Sequence, residues 1–174
     1  MSDEPILFQS RIFNVVERTQ VGRSGKILKR QVVKHPGAVA IAPILPDGRV
    51  LLIEQFRVAL QRKIFEIPAG TREVGEDPLS TATRELKEET GYSAGKIERM
   101  TAIYTSPGIL QEELILYLAT DLKPGETALE DGEAIELRPK TWDEIDAMID
   151  GGEIVDAKTL VGLFMARRAL DAGR

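Results

Sequence analysis

Two nearly continuous apolar runs, GAVAIAPIL at 37–45 and VLLIEQF at 50–56, constrain the fold of this chain more than any other feature. A strand that faces water on one side alternates apolar and polar residues, so uninterrupted runs indicate strands that are buried on both faces. The turn sequence PDGR lies between the runs, which predicts that they form a hairpin. We therefore expect buried strands in the interior of a layered fold.

Shorter strand-like segments surround these two runs. They lie at 11–20, 26–34, 65–68, 97–104, 113–119 and 133–138. The first two flank VGRSGK, which predicts an N-terminal hairpin. The length of 174 residues fits one domain of ordinary size. We expect residues 1–36 to form the hairpin element and residues 37–174 to form the main domain.

Three helices carry clear start or stop signals. Asp77 and Pro78 form an N-cap and first-position pair and Gly91 is a C-terminal stop, so the first helix should cover about 78–90. The capping box TWDE opens a second helix at 141–149, and a third, at 156–170, begins at Asp156. Its apolar face is predicted to contain Leu160, Leu163 and Phe164. A helix inserted between strands and two more at the end predict the α+β class, as a mixed-sheet sandwich.

Composition excludes several kinds of site. The chain has no cysteine and a single histidine, His35, so any metal must be held by oxygen, as Mg²⁺, Mn²⁺ and Ca²⁺ are. A net charge of −5 argues against a nucleic-acid partner, which needs a basic surface. The sequence shows no signal-peptide pattern and no apolar run long enough to span a membrane, so we expect no membrane association and a cytoplasmic location.

The helix predicted at 78–90 concentrates negative charge. Glu85, Glu88 and Glu89 lie at offsets 0, +3 and +4 and so share one face. The core-facing stripe is predicted on the opposite side, at Leu79, Ala82 and Leu86. The three glutamates should therefore point outward, beside a cleft or into solvent.

Such a face could simply be solvated, with Arg84 and Glu88 as an i,i+4 ion pair. The glutamates, however, lie near the helix C-terminus, where the helix dipole disfavours negative charge. A bound cation would offset that cost, and convergent carboxylates suit Mg²⁺ or Mn²⁺. The preceding polar loop, from Gly70 to Glu76, could fold back and bring Glu76 and a backbone carbonyl toward the helix.

Gly70, Glu76 and the run RELKEETGY at 84–92 together resemble the Nudix box of the Nudix hydrolases. Tyr92 stands where that box usually has an aliphatic residue. The resemblance implies an α/β/α sandwich around a mixed β-sheet, with the box as a loop–helix–loop. It also implies Mg²⁺-dependent hydrolysis of a nucleoside diphosphate linked to another moiety.

Segments outside the box narrow the substrate. EQFR at 54–57, FEIPAG at 65–70, TSPG at 105–108 and GGEIVDAKTL at 151–160 are similar to the ADP-ribose pyrophosphatase branch. That resemblance implies hydrolysis of ADP-ribose to AMP and ribose 5-phosphate. Two alternatives stay open: a nucleotide-sugar pyrophosphatase acting, for example, on GDP-mannose, and a non-catalytic module that senses a nucleotide.

The resemblance also implies roles for residues of the box. The metal would be held by the Ala69 carbonyl, Glu85 and Glu89, with Glu76 beside them. Arg84 would hold a glutamate such as Glu73 or Glu88 in position. The catalytic base is open between Glu88 and three acids of the loop at 128–137, which are Glu130, Asp131 and Glu133. Glu133 fits best by its spacing to the following strand.

The substrate would be held by residues outside the box. Arg57 could bind a phosphate bidentately or be an ordinary surface arginine. Arg30 could stack on adenine or belong to the surface of the hairpin. Glu112 and Gly108 receive a substrate-binding role from the resemblance alone. The family also implies a homodimer paired through the N-terminal strands, with part of each site supplied by the partner.

Overall fold

The computed structural model describes residues 4–129 and 134–173. The strands of this part are β1 (Ile6–Gln9), β2 (Asn14–Val21), β3 (Ile27–Lys34), β4 (Ala38–Pro43), β5 (Val50–Arg57), β6 (Arg62–Glu66), β7 (Ala69–Thr71), β8 (Ser93–Ile103), β9 (Leu110–Gln111), β10 (Leu114–Lys123) and β11 (Ile135–Lys140). The helices are α1 (Pro78–Thr90), α2 (Trp142–Asp150) and α3 (Ala157–Ala172). The short strands β1, β7 and β9 were not expected from the sequence.

The strands form three sheets. Their orders are β1-β2-β3-β9, β7-β4-β10-β8 and β11-β5-β6. β4 pairs with β10 in parallel and with β7 antiparallel, so the central sheet is mixed. The predicted N-terminal hairpin is present as β2 and β3, which pair antiparallel.

Alternate residues of β4 face two separate cores. Ala38, Ala40 and Ala42 belong to a cluster that includes residues of α2 and α3. Val39 and Ile41 belong to a second cluster, which includes Ala82 and Leu86 of α1. The central sheet is therefore covered by helices on both faces, which explains its apolar strands. This arrangement confirms the predicted α+β class and the α/β/α sandwich.

The predicted pairing of the two apolar runs is wrong. β4 and β5 lie in different sheets and share only an isolated bridge between Ile44 and Val50. The tight turn is present, because the Leu45 amide donates to the Arg49 carbonyl at 2.8 Å. The strands separate beyond it because β7 and β10 already occupy both edges of β4. The two runs are buried in different sheets, except for Phe56 at the end of the second run, which is 47% exposed.

The helix ends follow the capping signals. Asp77 accepts the Ser80 amide at the start of α1, and Gly91 ends that helix with φ 76°, a conformation that glycine adopts without strain. Thr141 and Glu144 form the capping box of α2. Asp156 accepts the Thr159 amide at the start of α3.

The predicted helix faces need three corrections. Leu79 is 44% exposed, because it shares the direction of Leu86 but lies two turns earlier, where the helix is not covered. Phe164 is 61% exposed, because it is rotated away from the buried face that contains Leu163. Two of the glutamates are not on the side opposite the core, because Glu85 and Glu89 are buried. Glu88 is partly exposed, and all three border a cleft, as predicted.

Within the described residues, no helix has both the length and the apolar character needed to cross a membrane.

Candidate active site

A cavity of about 1050 Å³ lies where α1, β5, β7 and the N-terminal segment meet. Its lining comprises residues 9–14, 34–36, 55, 57, 69–74, 84, 85, 88 and 89. The side chains of Arg84, Glu85, Glu88 and Glu89 enter it from one helix. The fold thus brings the Nudix-like loop and helix to one wall of the cavity.

The loop and helix of this wall touch directly at Gly70. A Cβ at position 70 would lie 1.9 Å from the Glu85 carboxyl carbon, so only glycine leaves room for that carboxylate. The Ala69 amide donates to Glu89 Oε2 at 2.9 Å. Glu85 and Glu89 are 9% and 3% exposed, so burial and backbone contact fix both carboxylates. This contact is made by the Ala69 amide, and the predicted role of the Ala69 carbonyl as a metal ligand stays a prediction.

Arg84 lies among three carboxylates. Its Nη1 donates to Glu85 Oε1 at 2.8 Å and to Glu88 Oε2 at 2.9 Å. Glu76 accepts more distantly, at 3.4 and 3.5 Å. Burial alone would lower the pKa of Arg84, but Glu76, Glu85 and Glu88 raise it well above its ordinary value. Arg84 is therefore cationic at every physiological pH, and it meets Glu88 as predicted, whereas Glu73 is not among these partners.

The pKa of the Glu76 carboxyl is lowered, first by the Glu73 amide and then by Arg84. Glu76 Oε2 accepts that amide at 3.0 Å. Glu76 is absent from the lining of the cavity, in contrast to Glu85 and Glu89. Its predicted role as a metal ligand stays a prediction.

The donor set fits a hard divalent cation. Glu85, Glu89 and the backbone at Ala69 offer only oxygen, which Mg²⁺ and Mn²⁺ prefer. The close approach of Gly70 to Glu85 keeps one carboxylate beside the loop. In the described part of the chain, no three acidic or histidine side chains already converge as a metal-binding group. The structure thus brings Ala69, Glu85 and Glu89 to one wall of the cavity without showing a preformed cage.

Arg57 reaches the cavity but is already paired. Its Nε and Nη2 donate to Glu66 Oε1 and Oε2, both at 2.6 Å. Arg57 lines the cavity and its side chain is 41% exposed. The hydrogen bond to Glu66 raises the pKa of the Arg57 guanidinium. Arg57 is therefore not a solvated surface arginine. Two of its N–H groups are paired with Glu66 at the cavity, and, among the described residues, the others are left for a phosphate.

The other predicted substrate residues lie apart from this cavity. Arg30 is exposed on β3 and does not line it. Gly108 lines a smaller cavity of about 240 Å³. Glu112 Oε1 lies 3.3 Å from His35 Nδ1, and His35 lines the main cavity. Within one chain the structure therefore brings Glu112 near the site and leaves Arg30 outside it.

The candidate bases divide into two groups. Glu88 lines the cavity and is bound by Arg84. Glu130, Asp131 and Glu133 lie outside the described residues. The choice between Glu88 and the loop acids stays open.

Sequence reasoning missed Gln55 and Arg72. Gln55 is 9% exposed and lines the cavity, and its Nε2 has no hydrogen-bond partner among the described residues. Arg72 also lines the cavity, and its buried Nε has no hydrogen-bond partner among the described residues. A glutamine in a buried apolar run was the available signal for Gln55, because such a position normally excludes an amide.

The chain resembles known proteins in sequence. The model of the NUDIX domain family matches residues 34–161. An ADP-ribose pyrophosphatase of Bacillus subtilis is 40% identical over 155 residues, covering 88% of this chain and 84% of the relative. A methanol dehydrogenase activator of Bacillus methanolicus is 42% identical, covering 80% and 77%. A GDP-mannose pyrophosphatase of Yersinia pestis is 30% identical, covering 86% and 80%.

A solved structure of an ADP compounds hydrolase has the same fold. It superimposes with a TM-score of 0.85, covering 99% of this chain and 94% of the other. Its sequence identity is 21%, so the likeness concerns the fold alone.

Proposed function

The chain belongs to the Nudix hydrolase family, and from this membership we propose that it hydrolyses ADP-ribose to AMP and ribose 5-phosphate with Mg²⁺ as cofactor. Mn²⁺ is the alternative metal. The observation that carries the proposal is the wall of the cavity, where Glu85 and Glu89 lie against the Ala69–Gly70 backbone. The 40% identical ADP-ribose pyrophosphatase supports the choice of substrate.

Glu85, Glu89 and the Ala69 carbonyl would hold the metal, with Glu76 as a further candidate ligand. When bound, the cation neutralises charge on the diphosphate and assists attack by water. The chain itself contributes position: Ala69 is fixed by its hydrogen bond to Glu89. Arg84 holds Glu85 and Glu88 at 2.8 and 2.9 Å and so limits the motion of two carboxylates at once.

The proton of the attacking water would pass to a carboxylate oxygen. Glu88 is one candidate base, since it is half-buried and lines the cavity. Glu133, Asp131 and Glu130 are the others. Comparing the pH–rate profiles of Glu88→Gln and Glu133→Gln would separate the two groups, because loss of the base removes one limb of the profile.

Arg57 would bind a phosphate of the substrate. Arg57 donates two of its five N–H groups to Glu66, and its side chain lines the cavity. Glu112 and Gly108 remain proposed substrate contacts. Arg30 does not line the cavity of its own chain, so a role in binding would require the second subunit of a homodimer.

Product analysis tests the substrate. Purified protein is incubated with Mg²⁺ and equal concentrations of ADP-ribose or GDP-mannose, and nucleotide products are separated by chromatography. We expect kcat/KM for ADP-ribose to exceed that for GDP-mannose by about tenfold or more, equivalent to 1.4 kcal/mol of transition-state stabilisation. Equal or faster turnover of GDP-mannose would favour the second candidate, which the 30% identical relative supports.

A Glu89→Gln variant tests catalysis against nucleotide sensing. We expect kcat to fall by at least about 100-fold while ADP-ribose still binds in calorimetry, because the change removes one charge and few atoms. Glu98→Gln is the control, since it breaks only an exposed ion pair with Lys96. A wild type that binds ADP-ribose without turnover would indicate the sensing module instead.

A further inference from the structure

A cluster of four charged side chains connects the candidate active site to the start of α3. Its members are Arg57, Glu66, Asp156 and Lys158, which we call the α3 charge cluster. Glu66 lies at its centre and is 0% exposed. A buried carboxylate is costly unless it is paired, so both cations that reach Glu66 are structurally important.

Glu66 binds Arg57 from the side of the guanidinium that carries Nε and Nη2. Among the described residues, this pairing leaves the Nη1 hydrogens and the second Nη2 hydrogen of Arg57 available to donate to a ligand. The direction of those remaining donors is therefore set by where Glu66 lies.

Lys158 fixes Glu66 from the other side. Its Nζ donates to Glu66 Oε2 and, at 2.9 Å, to Asp156 Oδ2. The Lys158 side chain is only 13% exposed, so this bridge is shielded from solvent. Burial raises the pKa of the Asp156 carboxyl, but Lys158 and Thr159 more than offset this and lower it overall. The Asp156 carboxylate therefore stays ionised at neutral pH.

Thr159 makes a second connection from α3. Its Oγ1 donates to Asp156 Oδ2 at 2.6 Å and accepts the Ile67 amide at 3.0 Å. Gly162 lets the helix approach, because a Cβ there would lie 2.5 Å from Ile67 Cδ1. The start of α3 thus touches Ile67 at its backbone and at its side chain.

Every residue of the segment from Glu66 to Ala69 is held by a hydrogen bond to another element of the fold. Glu66 is bound by Arg57 and Lys158, and Ile67 by Thr159. The Pro68 carbonyl accepts the Ile41 amide at 2.8 Å, and the Ala69 amide donates to Glu89. The segment leads from the α3 charge cluster directly to the backbone beside the glutamates.

We propose that the start of α3, residues 156–159, is a positioning element for the active site. Lys158 acts through Glu66 to direct Arg57 toward the substrate, and Thr159 acts through Ile67 to fix the backbone that leads to Ala69. These residues do not touch the reacting atoms. The role of Arg57 in this proposal rests on the proposed function, whereas the backbone role of Thr159 does not.

The first experiment measures coupling between Lys158 and Arg57. Steady-state kinetics on ADP-ribose compare wild type, Lys158→Gln, Arg57→Gln and the double variant. We expect Lys158→Gln to raise KM about tenfold with kcat changed less than about twofold, and the double variant to be no worse than Arg57→Gln. Lys158→Arg should recover most of the loss. Fully additive effects, or an unchanged KM, would overturn the role of Lys158.

Arg167→Gln is the matched control for that experiment. It removes another cation of α3, one that pairs with Asp146 on the surface and does not line the cavity. We expect its KM to stay within about twofold of wild type, because its ion pair is exposed. Equal effects of the two changes would mean that general loosening of α3, and not positioning, raises KM.

The second experiment needs no substrate. Residue-resolved hydrogen exchange compares wild type with Thr159→Val, which keeps the shape of the side chain and removes the hydroxyl. We expect the Ile67 and Ala69 amides each to exchange at least about tenfold faster. The Ile67 amide loses its acceptor, and the Ala69 amide lies on the segment that the bond between Thr159 and Ile67 fixes. Thr159→Ser should restore protection. Faster exchange at Ile67 alone would contradict the positioning of Ala69.

The two experiments separate failure of this proposal from failure of the proposed function. If the wild type does not hydrolyse ADP-ribose, the proposed function is wrong, and hydrogen exchange still decides whether α3 fixes the segment. If Lys158→Gln does not fold, Lys158→Arg and the Thr159 variants still give a result. Normal exchange at Ala69 in a folded Thr159→Val protein would refute the positioning element.

Discussion

Gly70 shows how a single side-chain hydrogen determines the shape of the candidate site. The Glu85 carboxylate occupies the space in which any other residue would place its Cβ. The glycine is needed here for close approach to a carboxylate and not for an unusual backbone angle, because its φ is not positive.

Gly70→Ala is therefore expected to reduce activity strongly. The added Cβ would lie 1.9 Å from Glu85 Cδ, so the Glu85 carboxylate must move away from residue 70. We expect kcat/KM to fall at least about 100-fold and the free energy of unfolding to decrease by about 1–3 kcal/mol. Gly173→Ala is the control, since its Cβ would meet its nearest neighbour at 3.6 Å. Activity within twofold of wild type would contradict the importance of this contact.

Gln55 gives a second prediction for a single side chain. Its Nε2 is buried beside the cavity without a partner among the described residues. Gln55 and Arg57 are two residues apart on β5 and so face the same side. A bound substrate that accepts a hydrogen bond from Nε2 would remove the cost of the unmet donor.

Gln55→Leu should separate stability from binding. The free energy of unfolding should stay equal or rise, because an unsatisfied buried amide is removed. KM for ADP-ribose should rise about tenfold, because a hydrogen bond to substrate is lost. Gln20→Leu makes the same change at an exposed position of β2 and should leave KM unaltered. A destabilised variant with normal KM would show that Gln55 is structural.

Among the elements, α2 offers a stability change that pH controls. Its Glu144 carboxylate accepts the Thr141 amide at 2.8 Å and the Thr141 hydroxyl at 3.1 Å. The backbone bond to Thr141, with help from Lys140, lowers the pKa of Glu144 to about 2. Because the folded protein holds the ionised form, the contribution to stability is complete above the ordinary pKa of 4.5 and disappears as pH falls through about 2.

Unfolding by denaturant at several pH values tests this element. We expect Glu144→Gln to be less stable than wild type at pH 7, with a difference that shrinks between pH 4.5 and pH 2. Asp143→Asn controls for the charge at the same helix N-terminus. A difference that is constant over this pH range would show that the capping box, and not its ionisation, accounts for the effect.

At the level of the assembled protein, the N-terminal sheet ends in an exposed apolar edge. Among the described residues β1 pairs only with β2, and its residues Ile6, Leu7 and Phe8 are 57%, 54% and 56% exposed. An apolar edge strand favours pairing with another chain. This exposed apolar edge supports the proposed homodimer.

Light scattering after gel filtration tests the assembly. We expect a mass about twice the 19.2 kDa of the chain. Phe8→Asp should shift the protein toward one chain mass, because a charge would be buried in the interface. Phe164→Asp, at an equally exposed position on α3, should keep the dimer. A wild type of one chain mass would rule the homodimer out.

Local signals in the sequence were sufficient for the ends of the helices, the N-terminal hairpin and the oxygen-only character of any metal site. Caps such as Asp77 and Gly91 act within four residues, so their physics is contained in short segments. The spacing of Glu85, Glu88 and Glu89 likewise placed them on one helix and beside one cavity.

Three features depended on contacts between distant parts of the chain. β4 and β5 separate into different sheets because β7 and β10 take the edges of β4. Glu85 and Glu89 are buried where α1 packs against Ala69 and Gly70 of β7. Lys158 meets Glu66 across 92 residues, a pairing that no local pattern specifies. Periodicity and capping identify each element, whereas its neighbours are chosen by competition for strand edges and by the need to pair buried charge.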